Sequence, residues 1–258
     1  MARQSVVGNP ALGRSSWHVV GQQLRTDMYV CCSEIMTQAE RSARSRAALL
    51  ESAARNLSRH GYGNLALERV AADAGYTRGA LYHHFKDKQD LAMAVIEWAH
   101  ATWVREVGPS VAGEAGPVAA LLALARGHAV FCRRDVARMA IALRMEFSGK
   151  DHPVGREVEE KYQLLVGRCA DLIEAARSTG SIPAGPRPEV LAQAVIGALE
   201  GTVIAVAGQA QYDELLAARA VAGVLGIPAS KALQGEDENE APEHRTHVTA
   251  LANSRSGA

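Results

Sequence analysis

Apolar positions along this chain recur mainly at helical spacing, and nothing in it reads as a pair of strands. Leu50, Ala53, Ala54 and Leu57 fall on one helical face and predict a helix from Ser42 that Gly61 stops. A short second helix is expected over residues 67–74, with Val70, Ala71 and Ala74 inward, ended by Gly75. Thr77 can cap a third over 78–85 with its hydroxyl. Asp87 can cap a fourth, with Asp90 in the first turn, where the dipole favours acidic charge; it carries Leu91, Val95 and Trp98 past Trp103. Gly108, Pro109, Gly113, Gly116 and Pro117 predict a loop. Helices then follow at about 118–131, 136–147 and 154–178, and after a Gly- and Pro-rich loop at about 189–207 and 212–225. Residues 1–41 lack a sustained period and are expected to be a flexible arm, with Met28 and Met36 as alternative starts; residues 229–258 are polar, acidic and expected to be disordered. The expected class is all-α.

Composition changes this picture little. The 258 residues suffice for two modest domains, and 48% hydrophobic with 22% charged residues is ordinary for a globular protein. Net charge is zero, which argues against a uniformly basic nucleic-acid binder. The distribution restores the possibility: residues 41–90 carry nine Lys or Arg against five Asp or Glu, a local excess of +4. Cys31, Cys32, Cys132 and Cys169 have neither zinc nor redox spacing and read as reduced thiols. No run of about 18 apolar residues and no signal pattern stands out, so no membrane span is expected and the expected compartment is the cytoplasm. His128, Glu146, Asp151 and His152 form no recognised metal or acid–base motif, and His128 sits among apolar residues as an interior histidine would. There is no phosphate-binding Gly loop after a strand and no Gly-x-Ser-x-Gly elbow. No catalytic residue, metal or cofactor is expected.

The most specific stretch is 61–88. Ala71 is small where two helices cross, Gly75 can take positive φ after the first, and Leu81 faces back to Val70. Thr77, Arg78, Gly79, Ala80, Tyr82 and His83 are left on or near the outward face of a helix short enough for a major groove. This is the physics of a helix-turn-helix.

From Arg46 to about Leu91 the sequence resembles the TetR family of bacterial regulators, most specifically in the run Thr77-Arg78-Gly79-Ala80-Leu81-Tyr82-His83-His84-Phe85 followed by Lys88. The resemblance implies an N-terminal three-helix DNA-binding domain (42–88) and a helical ligand-binding and dimerisation domain (89–228). It implies phosphate contacts by Thr77, Tyr82 and Lys88, base or phosphate contacts by Arg78 and His83, and close approach at Gly79 and Ala80. Ala66 stands where the family has a capping Thr or Ser, Leu57 where it has Phe, and Asn56 at an apolar position, which should loosen the first helix.

The expected partners follow. One is a palindromic double-stranded operator. Another is a second copy, docked through Leu191, Val195, Leu199, Val203, Leu216, Val221 and Val224, with recognition helices about 34–36 Å apart or more. The third is a small, mostly hydrophobic effector near Trp98, Trp103, His128, Phe131, Met139, Met145, Phe147 and Tyr162, releasing the protein from DNA. A regulator of the same fold without an effector, acting as activator or through a protein partner, and an all-α enzyme remain as alternatives.

Overall fold

Thr37 opens the first helix with a reciprocal cap. Its Oγ1 accepts the Glu40 N–H at 3.2 Å, and the Glu40 carboxylate accepts the Thr37 N–H at 2.6 Å. In a computed structural model of the chain, which describes residues 37–206 and 210–228, this cap starts α1 (Gln38–His60) four residues before the periodicity at Ser42. The expected arm and acidic tail, with Cys31 and Cys32, fall almost wholly outside the described residues.

Helix α2 (Leu67–Asp73) has no side-chain cap at Ala66, whereas Thr77 Oγ1 accepts the Ala80 N–H at 3.2 Å to start α3 (Arg78–His84). Gly75 takes φ +76° between them, a conformation in which L side chains are strained. Leu49, Leu50, Ala53, Leu57, Val70, Leu81 and Phe85 close the core of these three helices. Asn56 does not loosen it. Its amide donates to Ser52 O and to an Asp73 carboxylate oxygen, both at 3.0 Å, and buried Ser52 donates to Val70 O at 2.9 Å. The polar pair ties α1 to α2 with those groups satisfied.

Asp87 Oδ1 accepts the Asp90 N–H at 2.9 Å and starts α4 (Lys88–Ala112). This helix runs through Gly108 and Pro109, where a loop was expected, because buried Val107 and Val111 anchor the last turns and Gly113 N–H closes on Pro109 O at 3.0 Å. Five further helices follow: α5 (Pro117–Cys132), α6 (Asp135–Phe147), α7 (Pro153–Ser178), α8 (Pro188–Ala205) and α9 (Ala210–Val224). Apolar α5 lies against α4, α7 and α9; α6 bridges α5 and α7; α8 packs on α7 and α9. Arg133 grips buried Asp213 with two bonds of 2.8 and 2.7 Å, fixing the start of α9 to the end of α5 and holding the Asp213 carboxyl below its usual range.

Helix α8 is long and apolar enough, by length and composition alone, to cross a membrane, although no span was expected. Ala192, Val195, Ile196 and Leu199 are its buried residues, and they belong to the core shared with α7 and α9. This corrects part of the expected dimer surface. Val195, Leu199 and Val221 have no exposed area within the single chain, while Leu191, Val203 and Val224 are half-buried and Leu216 is exposed. Helical periodicity locates an apolar position, but where a helix is apolar all round it does not say which side faces home.

Candidate nucleic-acid interface and interior cavity

The outward face of α3 carries the residues expected to read DNA. Arg78, Gly79, Tyr82 and His83 are exposed, Ala80 is half-buried, and Leu81 is buried behind them. The Arg78 guanidinium lies over the Tyr82 ring at 5.3 Å and pairs with Glu68 of α2 at 3.1 Å. Arg78 is thus held by Tyr82 of its own helix and Glu68 of α2, groups it can exchange for a base edge or phosphate. Both partners of the ion pair are well exposed, so it holds the side chain only weakly. Thr77 spends its hydroxyl as acceptor on the helix cap but retains an O–H to donate.

Lys88 is placed differently from the expectation. Its Nζ donates to Gly63 O at 2.8 Å and lies 4.6 Å from the centre of the Tyr62 ring, so one of its three donors braces the loop between α1 and α2. The same loop is gripped from the other side. The Glu146 carboxylate, near the end of α6, accepts the N–H groups of Tyr62 at 2.6 Å and Gly63 at 2.7 Å. Phe147 stands 5.3 Å from the Tyr62 ring and stacks at 4.5 Å on His152, whose Nδ1 caps α7 through Val154 N–H. Glu146 and His152 therefore serve the joint between helices, and Asp151 pairs with Arg156.

A cavity of about 300 Å³ opens between α4, α5, α6 and α7. Of the residues expected at a ligand, Trp103, His128, Phe131, Met139 and Tyr162 line it. Three do not. Trp98 lines a separate basic hollow beside Arg55 and Arg138, Met145 is 74% exposed, and Phe147 packs in the joint. Ile96, His100, Lys161 and Glu200, outside the expected set, join the lining from α4, α7 and α8. The Trp103 indole N–H donates to His128 Nδ1 at 3.1 Å. Arg144 lies over the Tyr162 ring at 3.3 Å and pairs with Glu159 at 3.3 Å and Glu200 at 3.8 Å; Lys161 pairs with Glu97 at 2.6 Å and Glu157 at 3.3 Å. Burial pushes the Cys132 thiol, also in the lining, up to about 12, which leaves it without thiolate character.

Burial drops His128 to about 4 from an ordinary 6.5. Between those values the unfolded chain binds a proton that the folded chain refuses. Stability from this group is full above pH 6.5 and is lost as pH falls toward 4. Between pH 7 and pH 5 the loss should be about 2 kcal/mol. Urea denaturation of His128→Gln should show a pH slope shallower than wild type by that amount, and equal slopes would contradict it.

Residues 49–95 match the family model for bacterial regulatory proteins of the tetR family. The DNA-binding domain is a TetR-family domain. The repressor AcnR of Corynebacterium glutamicum is 38% identical over 56 residues, 22% of this chain but only 30% of AcnR. The match to the repressor BepR of Brucella suis reaches further, at 28% identity over 174 residues, 64% of this chain and 81% of BepR. Among solved structures, AibR in complex with isovaleryl coenzyme A and operator DNA superposes with a TM-score of 0.56 at 22% identity, over 72% of this chain and all (100%) of AibR. FadR from Bacillus subtilis in complex with stearoyl-CoA gives 0.59 at 16%, over 69% and 97%. At such identities the structures establish a shared fold.

In the TetR-family domain Arg78, Gly79, Tyr82 and His83 of α3 are exposed together, and Lys88, at the start of α4, is turned to the α1–α2 loop. Glu146 was missed as a structural residue. It lies 84 and 83 residues from its two partners, and no local pattern carries a contact of that range. Gly61 held the only hint. It takes φ +72°, and an added Cβ would sit 2.6 Å from Glu146 Oε2.

Proposed function

We propose that this chain is a dimeric, DNA-binding transcription regulator, a repressor freed from its operator by a small apolar molecule. The carrying observation is the exposed face of α3, with Arg78, Tyr82 and His83 above a Thr77 cap, inside a domain matched to bacterial regulators. Residues 42–88 form the DNA-binding part and 89–228 the effector and dimer part. Relatives named as repressors, and the AibR complex with both operator and isovaleryl coenzyme A, support this reading. The cavity supports the effector. Met139, Ala140, Ile141 and Arg144 line it from α6, the helix that carries Glu146 to the α1–α2 loop. A ligand that prefers one position of α6 changes where the reading helix sits, and its coupling is limited to that difference in affinity.

A gel shift with DNA flanking the chain's own gene tests the reading, followed by release with apolar metabolites. Arg78→Ala should weaken the cognate site by roughly 5- to 150-fold, the range of about 1–3 kcal/mol for a base contact, and narrow its margin over random DNA. Tyr82→Phe should weaken both alike. Equal loss on both sequences with Arg78→Ala would remove it from base reading. Binding without release by any compound would favour the effector-free reading.

A further inference from the structure

The Trp103–His128 pair fixes one property of whatever fills the cavity. An indole N–H can only donate, so His128 Nδ1 must accept and the imidazole proton sits on Nε2. Nε2–H has no acceptor among the described residues, and His128 is part of the lining. A neutral donor is therefore left in a wall whose apolar part includes Ile96, Ala99, Phe131, Met139 and Leu165. A donor that faces a largely apolar cavity with no protein partner is one that a ligand acceptor can satisfy.

The two half-buried cations of the lining are matched. Arg144 has Glu159 and Glu200, and Lys161 has Glu97 and Glu157. Arg168 is exposed to solvent. His100, the other imidazole in the lining, is held toward its neutral form by burial and then by Lys161. An anion beside Arg144 or Lys161, away from solvated Arg168, would have to take a cation from its carboxylate, and a cation would have to do the reverse. We propose that the cavity selects an uncharged, mostly apolar molecule bearing one hydrogen-bond acceptor, a carbonyl or ether oxygen, which accepts from His128 Nε2–H. This deepens the effector reading above and rests on it for biological meaning, but not for the binding itself.

The test is calorimetric titration of the full chain with four compounds of one shape: 1-tetralone, tetralin, 1-tetralincarboxylate and 1-aminotetralin. Wild type should bind the ketone tightest, roughly three- to tenfold better than tetralin, the worth of one hydrogen bond. His128→Phe should erase that preference, so that ketone and tetralin bind alike. His128→Gln, which keeps an N–H donor, should retain part of it, and circular dichroism melts confirm that both variants fold. The proposal is overturned if the preference survives in His128→Phe, if the carboxylate or the amine binds tightest, or if no compound binds wild type. A gel shift with the same ketone separates the two readings. Binding through His128 without DNA release refutes the effector role and leaves the selectivity standing.

Discussion

Gly61→Ala is expected to cost about 3–5 kcal/mol of stability, in two separable parts. One part is backbone. Gly61 sits at φ +72°, where a Cβ costs about 1–2 kcal/mol. The other is the joint. The new Cβ would lie 2.6 Å from Glu146 Oε2, closer than such atoms approach, so the carboxylate must leave. Movement of a flexible side chain is cheap in itself, but here it forfeits the N–H bonds from Tyr62 and Gly63. A bond to a charged acceptor contributes about 1.5–3 kcal/mol when buried, but one of this pair is only part-buried and the other exposed, so the two together contribute about 2–3 kcal/mol. Glu146→Ala alone should therefore cost about 2–3 kcal/mol. In that background Gly61→Ala should cost only the backbone part. Urea denaturation of the four proteins closes a double-mutant cycle, with an expected coupling of about 2–3 kcal/mol. Additive losses would mean that Glu146 does not hold the loop. The same cycle bears on the proposed regulation. Glu146→Ala should still bind DNA but lose most of the response to a cavity ligand, because α6 no longer grips the reading domain.

The contrast between Thr77 and Glu146 shows which parts of this molecule could be read in advance. Thr77, Asp87, Gly61 and Gly75 act within four residues of themselves, so caps and stops were legible, and most helix ends fell within two residues of the punctuation. Pro109 misled because a proline in a last turn gives up a bond that buried Val107 and Val111 make worth losing. The reading face was legible because a run of nine residues carries it. The cavity was legible only as a mixture of large and polar groups on apolar helices, and Trp103, His128, Phe131, Met139 and Tyr162 were found that way. Trp98 and Phe147 share that composition but turn elsewhere, since rotation about a helix axis is set by tertiary packing. Glu200 belongs to the wall from α8, which the sequence analysis assigned to dimerisation alone.

Gly197→Arg is expected to turn the protein into a monomer and to lower operator affinity by more than a hundredfold. Val190, Ala194, Gly197, Gly201 and Ile204 recur at four- and three-residue steps along α8, and all are exposed in the single chain. Only four of the 18 residues of this apolar helix are buried at home. Gly197 and Gly201 have no intrachain reason to be glycine, because an added Cβ at either meets nothing within 4 Å. Each costs a helix about 1 kcal/mol against Ala. Close approach of a second helix gives them a use, and α9, which packs on α8, exposes two further large apolar groups, Tyr212 and Leu216. A second copy of α8 and α9 would complete a four-helix face, on the side of α8 opposite the buried Val195 and Leu199. A charge at Gly197 would be buried unpaired at that contact. Separation of the two reading heads then removes the avidity of joined half-sites, on the order of 10²–10⁴. Gly197→Ala sharpens the test, since it should raise the stability of an isolated chain while weakening the dimer. Light scattering at micromolar concentration reads the mass directly. A monomeric wild type, or a Gly197→Arg protein that stays dimeric and keeps its DNA affinity, would refute this interface.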